Sequence, residues 1–478
     1  KNLLPGCMMR NTHMIRMETL EKNTERLEEG LRNVLSSLDN TPLVALLEGY
    51  HPADIAEVME RLDDDDSIRV FRVLDSVRAA EVLDELDTDT ARYLLDNEVP
   101  ERIAALLDLL PMDDAAEIIA EVTTVEKQEA ILKDLFTRSP GDAEEVRELL
   151  SFKLGTAGRL MTDRFISLRP EESVESAFAT VRQGSEEAET LNVLYVREGE
   201  RLVGVLSLRD LLRARADQLV TDIMVRDSVS IPADMDQEEV ARLVGKYDFT
   251  ALPVLLPDGT MAGIVTVDDV VDILNEEQTE DFLKQSGISA EAGMKNLSYF
   301  SVPIWRVVRS RIGWLLLLFV GGTLTGEILK SAQSSLHQVT ALATFIPLLI
   351  GTGGNTGAQS VSTIIRAIAL GEVRGRDLLM VLLRELFGGL LLGMLLGGVA
   401  FGWTRARGNS LELSLVVSLT VVAVCTWANL MGSLIPMLAH KLKIDPALVS
   451  APLITTLVDA TGLVIYLTIA RLLLTSLH

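Results

Sequence analysis

FIPLLIGTGGNTGAQSVSTIIRAIAL (residues 345–370) is apolar at both ends and crowded in the middle with Pro347, Gly351, Gly353, Gly354 and Gly357. Irregular backbone at membrane depth survives only where it is buried in protein or lines water. The stretch therefore predicts a broken span. Asn355 and Gln359, four apart in the same break, would add amide groups to freed carbonyls, the donor set a hydrated cation needs. Glycine also lets helices approach closely, but close packing does not call for an Asn and a Gln among the glycines.

The segment is one of five apolar stretches, at about 312–329, 339–369, 378–402, 413–439 and 449–475. Each can cross a hydrocarbon core of about 30 Å. The last contains SAPLITTLVDATGLVIYL (residues 450–467), with Asp459 deep inside it. A carboxylate at that depth costs several kcal/mol unpaired, so it is read first as functional. Helical spacing puts Pro452, Thr456 and Asp459 on one face with Thr455 beside them. The competing reading is a structural bond to another span, or to Arg366 or Arg384. In the fourth stretch Asn429, Gly432 and Pro436 share a face, and Arg384 and Glu385 lie within the third. Arg306, Arg309, Arg311, Arg374, Arg376, Lys441 and Lys443 gather on one side, against Lys330, Arg405 and Arg407 on the other. The positive-inside rule then predicts a cytosolic N-terminal half and, with five spans, an outside C-terminus.

The remainder differs in kind. Residues 1–299 hold 31 basic and 62 acidic side chains, net −31, whereas residues 300–478 hold 13 and 7, net +6. An acidic surface disfavours nucleic acid and attracts cations. Two distant cysteines, Cys7 and Cys425, and five scattered histidines exclude a disulfide framework or a zinc site. No P-loop, nucleophile elbow or dinucleotide fingerprint occurs, which argues against an enzyme. Residues 1–17, polar and Met-rich, read as a disordered extension.

Residues 18–155 read as short helices in a loose repeat: HPADIAEVMERLDDDD from His51, SVRAAEVLDELDTDTARYLL from Ser76, PERIAALLDLL from Pro100 and PMDDAAEIIAEV from Pro111. Such helices cannot bury their apolar faces singly, so a stacked superhelix is expected. Two similar units follow, at 156–217 and 218–273. Gly204 and Gly263, Ser207 and Thr266, and Asp210 and Asp269 match at a 59-residue offset. Each unit reads strand, helix, strand, turn, strand, helix, and the pair resembles two CBS domains. That likeness implies a sensor module and makes Ser207, Asp210, Thr266 and Asp269 candidate contacts for a nucleotide such as ATP. Helix N-capping by the same residues is the alternative. From Val270 onward, Asp272/Glu276, Glu276/Glu280 and Glu277/Asp281 are like-charge pairs four apart. Such pairs weaken a helix by about a few tenths of a kcal/mol each, unless a divalent cation bridges them.

The motifs P-x-x-x-G-T-G-G-N-T-G-x-Q, N-x-x-G-x-x-x-P and P-L-x-T-x-x-x-D, behind an acidic array and a CBS pair, closely resemble the MgtE-type magnesium channel family from about residue 18 onward. The resemblance implies a multi-domain protein with an all-α superhelical N-domain and an α/β CBS-domain pair. A connecting plug helix (274–304) and a five-span α-helical membrane domain (305–478) would follow. It implies a homodimer joined through membrane and CBS domains in the plasma (inner) membrane. The pore ion site would involve Asp459, Asn355, Gly351, Gly354, Thr455 and Thr456, with Asp445 at the pore mouth. Cytosolic Mg²⁺ sensing would fall to Glu81, Asp113, Glu117, Asp248, Asp269, Asp272, Glu277, Glu280 and Asp281. Asp114 is an equal candidate to Asp113, and Glu81 stands within one repeat of its alternative. Mg²⁺ is the implied cargo, with Mn²⁺, Co²⁺ and Ni²⁺ close in size. Mg²⁺ keeps its waters, so partly solvated acids would bind it weakly, at roughly 10⁻⁴–10⁻³ M by analogy with loose Ca²⁺ sites. A coupled secondary transporter and a non-transporting membrane sensor are the rival readings; the pore-like second span argues against the latter.

Overall fold

The computed structural model describes residues 17–36, 39–186, 188–289, 302–333 and 339–474, and Cys7 and residues 1–16 lie outside them. The chain forms two compact units that part between Glu276 and Glu277.

The first unit opens with helices α1 (Met17–Leu35), α2 (Thr41–Leu47), α3 (Pro52–Met59), α4 (Asp64–Val73) and α5 (Ser76–Asp84). It continues with α6 (Thr88–Asn97), α7 (Pro100–Leu107), α8 (Met112–Ala120), α9 (Val125–Arg138) and α10 (Pro140–Ser151). Their starts are chemical. Asp63, Asp75 and Asp87 each accept backbone N–H bonds at the head of α4, α5 and α6, relieving donors that a helix N-terminus leaves orphaned. Pro52, Pro100 and Pro140 open α3, α7 and α10, where the missing N–H costs nothing. Alternate helices pack together, α3 on α5, α5 on α7 and α7 on α9, with α2 on α4 and α4 on α6. This is the stacked array read from the repeats, and Leu31, Ile55, Val82, Leu94 and Ile119 are among its fully buried side chains.

Next come α11 (Ala157–Leu160), β1 (Ser167–Leu168), α12 (Val174–Gly184), β2 (Val193–Glu198), β3 (Arg201–Ser207), α13 (Leu208–Arg213) and α14 (Val220–Ile223). The second repeat holds β4 (Ile231–Pro232), α15 (Gln237–Tyr247), β5 (Ala251–Leu255) and β6 (Met261–Thr266). Both sheets have one topology: β1 parallel to β2 and β2 antiparallel to β3, then β4 parallel to β5 and β5 antiparallel to β6. The matched glycines occupy equivalent rungs, Val196↔Gly204 and Val254↔Gly263. A Cβ on Gly204 would stand 2.9 Å from the Val225 carbonyl, and one on Gly263 would stand 2.7 Å from the Thr162 carbonyl. Each glycine thus admits a crossing backbone segment, which explains the 59-residue offset physically.

Helix α16 (Val267–Gln285) is continuous, so the expected boundary at residue 273/274 falls inside a helix. Residues 290–301 of the expected plug lie outside the described part. The second unit contains α17 (Ile304–Ser331), α18 (Ala341–Ala369), α19 (Leu378–Ala406), α20 (Leu411–Lys441) and α21 (Ala451–Leu473). Helix α17 starts eight residues ahead of the predicted span and incorporates Arg306, Arg309 and Arg311. By length and apolarity, four of the described helices qualify as spans: α17, residues 375–406 with α19, α20 and α21. Helix α18 is as long as α19, at 29 residues, but its Gly, Thr, Asn, Gln and Ser content lowers its hydropathy below theirs.

The predicted break does not occur: α18 runs unbroken through Pro347 and all four glycines. An apolar medium requires backbone groups to be satisfied within the chain, which favours keeping the helix. The glycines serve close approach instead. A Cβ on Gly353 would fall 2.4 Å from Val424 Cγ1, and one on Gly357 would fall 2.9 Å from Ile454 Cγ2. Packing, the alternative reading of this stretch, accounts for Gly353 and Gly357. Gly351 has open space.

Candidate functional site

Acid-bearing regions occur in both units, two of them in the first. In the first unit the C-terminal end of α5, the first turns of α8 and the first turns of α16 bring carboxylates together. Asp84, Asp113, Asp114, Glu117, Asp269, Asp272 and Glu276 act on one another electrostatically. Burial and then the Asp269 charge push Asp113 up to about 7. Burial and then Asp84 and Asp113 push Asp114 above the usual carboxylate range. Burial raises Asp269 to about 6, against hydrogen bonds from Thr266. Asp84 and Glu117 shift upward as well, although both keep solvent contact. One buried oxygen, Asp113 Oδ1, has no hydrogen-bond partner. Like charges so gathered disfavour the ionised forms, and a bound cation would reverse that.

Of the expected sensing residues, Asp113, Glu117, Asp269 and Asp272 share this group. Glu81 is exposed one turn before Asp84, and Asp84 is the α5 acid that faces the group. Asp248 is an exposed residue with left-handed backbone (φ 55°) that ends α15. Asp114, the equal candidate to Asp113, belongs to the group, as does Glu276. Arg159, 7 % exposed, donates through Nη2 to the Ala116 carbonyl at 2.8 Å and offsets the Glu117 charge. Arg164 donates to the Leu110 carbonyl at 3.0 Å. Among the described residues no three His, Cys, Asp or Glu side chains form a ready coordination shell. Mg²⁺ held through its waters does not require one.

A second acidic group surrounds a cavity of about 430 Å³, lined by Asp142, Glu144, Glu145, Glu148 and Asp163. Burial and then the Asp163 charge raise the Glu145 pKa. Four of its members share α10 and only Asp163 comes from a distant part of the chain, so the sequence shows the helical acids but not their partner.

Of the candidate nucleotide residues, Ser207 caps α13, and in the second repeat Asp269 Oδ2 accepts the Thr266 N–H at 3.2 Å. Ser207 Oγ accepts from the Asp210 N–H at 3.0 Å and pairs with Asp210 Oδ2 at 2.6 Å. Thr266 Oγ1 donates to Asp269 Oδ2 at 2.7 Å.

In the second unit Asp459 faces α18: a Cβ on Gly354 would lie 3.4 Å from Asp459 Oδ1 and 3.5 Å from Thr455. The glycine brings the pore-candidate carboxylate onto the helix carrying Asn355. Arg366 and Arg384 form no ion pair with Asp459. Thr455 and Thr456 both donate to the Pro452 carbonyl, at 2.8 and 2.9 Å. Gly351, Asn355 and Gln359, spaced by four, form an exposed polar stripe along α18. Asp445 begins a short 3₁₀ turn and takes the Ala447 N–H at 2.9 Å through Oδ1. Its Oδ2 accepts from Lys284 Nζ at 2.7 Å, and Lys284 also pairs with Glu280. Burial opposes the ammonium, but hydrogen bonds to Asp445 and Glu280 outweigh it and hold the lysine pKa above its usual value. Glu277 and Asp281 are half-buried on the same helix. Sequence reasoning passed over Lys284, whose only local signal is its i,i+4 spacing from Glu280.

An acidic helical array, a CBS pair and an apolar unit of long helices that carries Asp459 and Glu385 within it define the class, a membrane transporter of divalent cations. Family models agree: "divalent cation transporter" (MgtE) matches residues 346–469, "MgtE intracellular N domain" 50–155, and "CBS domain" 157–217 and 220–276. The magnesium transporter MgtE of Thermus thermophilus is 39% identical over 94% of this chain and 99% of its own. That of Bacillus subtilis is 36% identical over 72% and 75%. A crystal structure of the cytosolic domain of the Mg²⁺ channel MgtE in complex with ATP is 35% identical, covers 52% of this chain and 99% of its own, and has a TM-score of 0.48. The chain belongs to the MgtE family of magnesium transporters, and the relatives that match over most of its length are transporters rather than enzymes.

Proposed function

We propose that the protein is a homodimeric channel that admits Mg²⁺ down its electrochemical gradient and closes when cytosolic Mg²⁺ is high. The observation that carries the reading is Asp459 set against Gly354, on a helix whose polar stripe Gly351–Asn355–Gln359 is exposed in the single chain. A polar stripe at membrane depth needs water or a second protomer. Two copies of α18 and α21 about a twofold axis would supply both, and α18 would be the fifth span. Paired Asp459 carboxylates repel, and a hydrated divalent cation relieves that repulsion without a dehydrating cage. The C-terminus would then lie outside the inner membrane.

Closure follows from the acidic group. Mg²⁺ would bridge Asp113, Asp114 and Glu117 to Asp269 and Asp272, with Glu277, Glu280 and Asp281 extending the response along α16. Glu81 and Asp248 would act from the margins. Several weak sites acting together give a steep response. ATP at Ser207/Asp210 or Thr266/Asp269, and passage of Mn²⁺, Co²⁺ or Ni²⁺, belong to the same proposal.

The test is Mg²⁺ flux into proteoliposomes for wild type and Asp459→Ala at low and high Mg²⁺ on the sensor side. Flux silenced by high Mg²⁺ and lost in the variant supports the channel. A variant that conducts like wild type makes Asp459 structural. Flux indifferent to sensor-side Mg²⁺ removes the gate.

A further inference from the structure

Hydroxyl side chains in α18 mostly bond back to their own helix: Thr352 to the Leu348 carbonyl, Thr356 to Thr352 and Thr363 to Gln359, at 2.7–2.8 Å. Ser360 does not. Its Oγ, in a residue only 5 % exposed, lies 3.1 Å from Glu385 Oε2 on α19 and 3.1 Å from the Asn429 carbonyl on α20. One hydroxyl hydrogen thus faces two acceptors from two other helices. Asn429 Nδ2 closes the triangle on the Glu385 carbonyl at 3.4 Å.

The three helices meet without slack around this point. A Cβ on Gly432 would stand 2.7 Å from the Gly357 carbonyl and 3.0 Å from Ser360 Cβ. A Cβ on Gly389 would stand 2.9 Å from Thr426 Cα and 3.0 Å from Asn429 Cβ. Packing alone would be served by an apolar residue at position 385. A carboxylate inside a span is expensive and calls for a reason.

We propose that Glu385 is a positioning residue for cation passage: it accepts the Ser360 hydroxyl and so fixes the rotation of α18. Ser360 follows Asn355 by five residues, about 7.5 Å along the helix axis. A turn of α18 about its axis at Ser360 therefore moves Gly354 off Asp459 and re-aims the stripe Gly351, Asn355 and Gln359. Glu385 acts through Ser360 and not on the ion. The inference rests on the pore reading above.

The experiment compares full-length wild type, Ser360→Ala, Glu385→Leu, Glu385→Gln and Asp459→Ala in proteoliposomes. Mg²⁺ flux is measured against concentration, with Ca²⁺ as competitor. Glu385→Leu and Ser360→Ala should lower maximal flux about tenfold or more and erode the preference for Mg²⁺ over Ca²⁺ (a change of tenfold corresponds to about 1.4 kcal/mol). Glu385→Gln, which retains an acceptor oxygen, should rescue most of the flux and the selectivity. Wild-type flux and selectivity in Ser360→Ala overturn the proposal, and that variant is mild enough to stand in if Glu385→Leu does not fold. A Glu385→Gln as damaged as Glu385→Leu also overturns it, because the charge itself would then be required. Failure of the pore reading shows separately, as an Asp459→Ala that conducts normally.

Discussion

Lys284→Met isolates the contact that joins the linker helix α16 to the loop after α20. The substitution keeps the apolar stem and the helix propensity but removes the hydrogen bond to Asp445 Oδ2 at 2.7 Å and the pair with Glu280. A hydrogen bond to a charged group contributes about 1.5–3 kcal/mol net. Lys284 and Asp445 are 22 % and 37 % exposed, so solvent screening reduces this to about 1 kcal/mol. That is a factor of about five in a conformational equilibrium. If the contact holds the linker helix in the closed arrangement, the variant raises the open-to-closed ratio about fivefold at the wild-type midpoint of sensor-side Mg²⁺, and the midpoint itself moves to higher Mg²⁺. The assay is flux in proteoliposomes titrated with Mg²⁺ on that side, with Asp445→Asn and the double variant completing a cycle. Additive single effects would show that the two residues do not act together. An open-to-closed ratio at the wild-type midpoint unchanged within twofold refutes the latch. A midpoint shifted to lower Mg²⁺ refutes it more directly, because Lys284 would then compete with Mg²⁺ for Asp445.

Three further outcomes follow. Asp113 and Asp269 have clustered-state pKa values of about 7 and 6 against an ordinary 3.8, so the clustered arrangement binds more protons than a separated one. It is disfavoured above pH 7 and gains stability as pH falls from 7 toward 4; full-length protein without Mg²⁺ should resist limited proteolysis better at pH 6 than at pH 8, and equal digestion would contradict the crowding. Gly263→Ala, with its Cβ 2.7 Å from the Thr162 carbonyl, should destabilise the CBS pair by about 1–3 kcal/mol, the usual cost of overpacking, seen as a lowered first thermal transition. Arg159→Met leaves Glu117 and its neighbours without the buried guanidinium and frees the Ala116 carbonyl; the loss of a hydrogen bond from a charged group, about 1.5–3 kcal/mol, should increase proteolysis between α10 and β1, and an unchanged pattern would show that the arginine ties nothing together.

Short-range chemistry was legible without coordinates. The capping aspartates, the helix-opening prolines, the duplicated sheet unit and the apolar lengths of the membrane helices each depend on neighbours a few residues away. The two glycines at a 59-residue offset signalled a shared constraint, which proved to be a crossing backbone at each. The load of glycine in α18 was visible too, but its meaning was not. A glycine can break a helix or admit a neighbour, and the choice rests on what stands opposite, here Val424, Ile454 and Asp459.

The sequence by itself determined the order of parts, the acidic front and apolar back, and the deep carboxylate Asp459, because composition and periodicity are properties of a chain read locally. Tertiary structure decided which acids meet. Asp84, Asp114 and Glu276 joined the group, while Glu81 and Asp248 did not. It also paired Lys284 with Asp445, 161 residues away, and Ser360 with Glu385 and Asn429. Coulomb energy and hydrogen bonding depend on distance and burial, and neither quantity exists until the helices are packed.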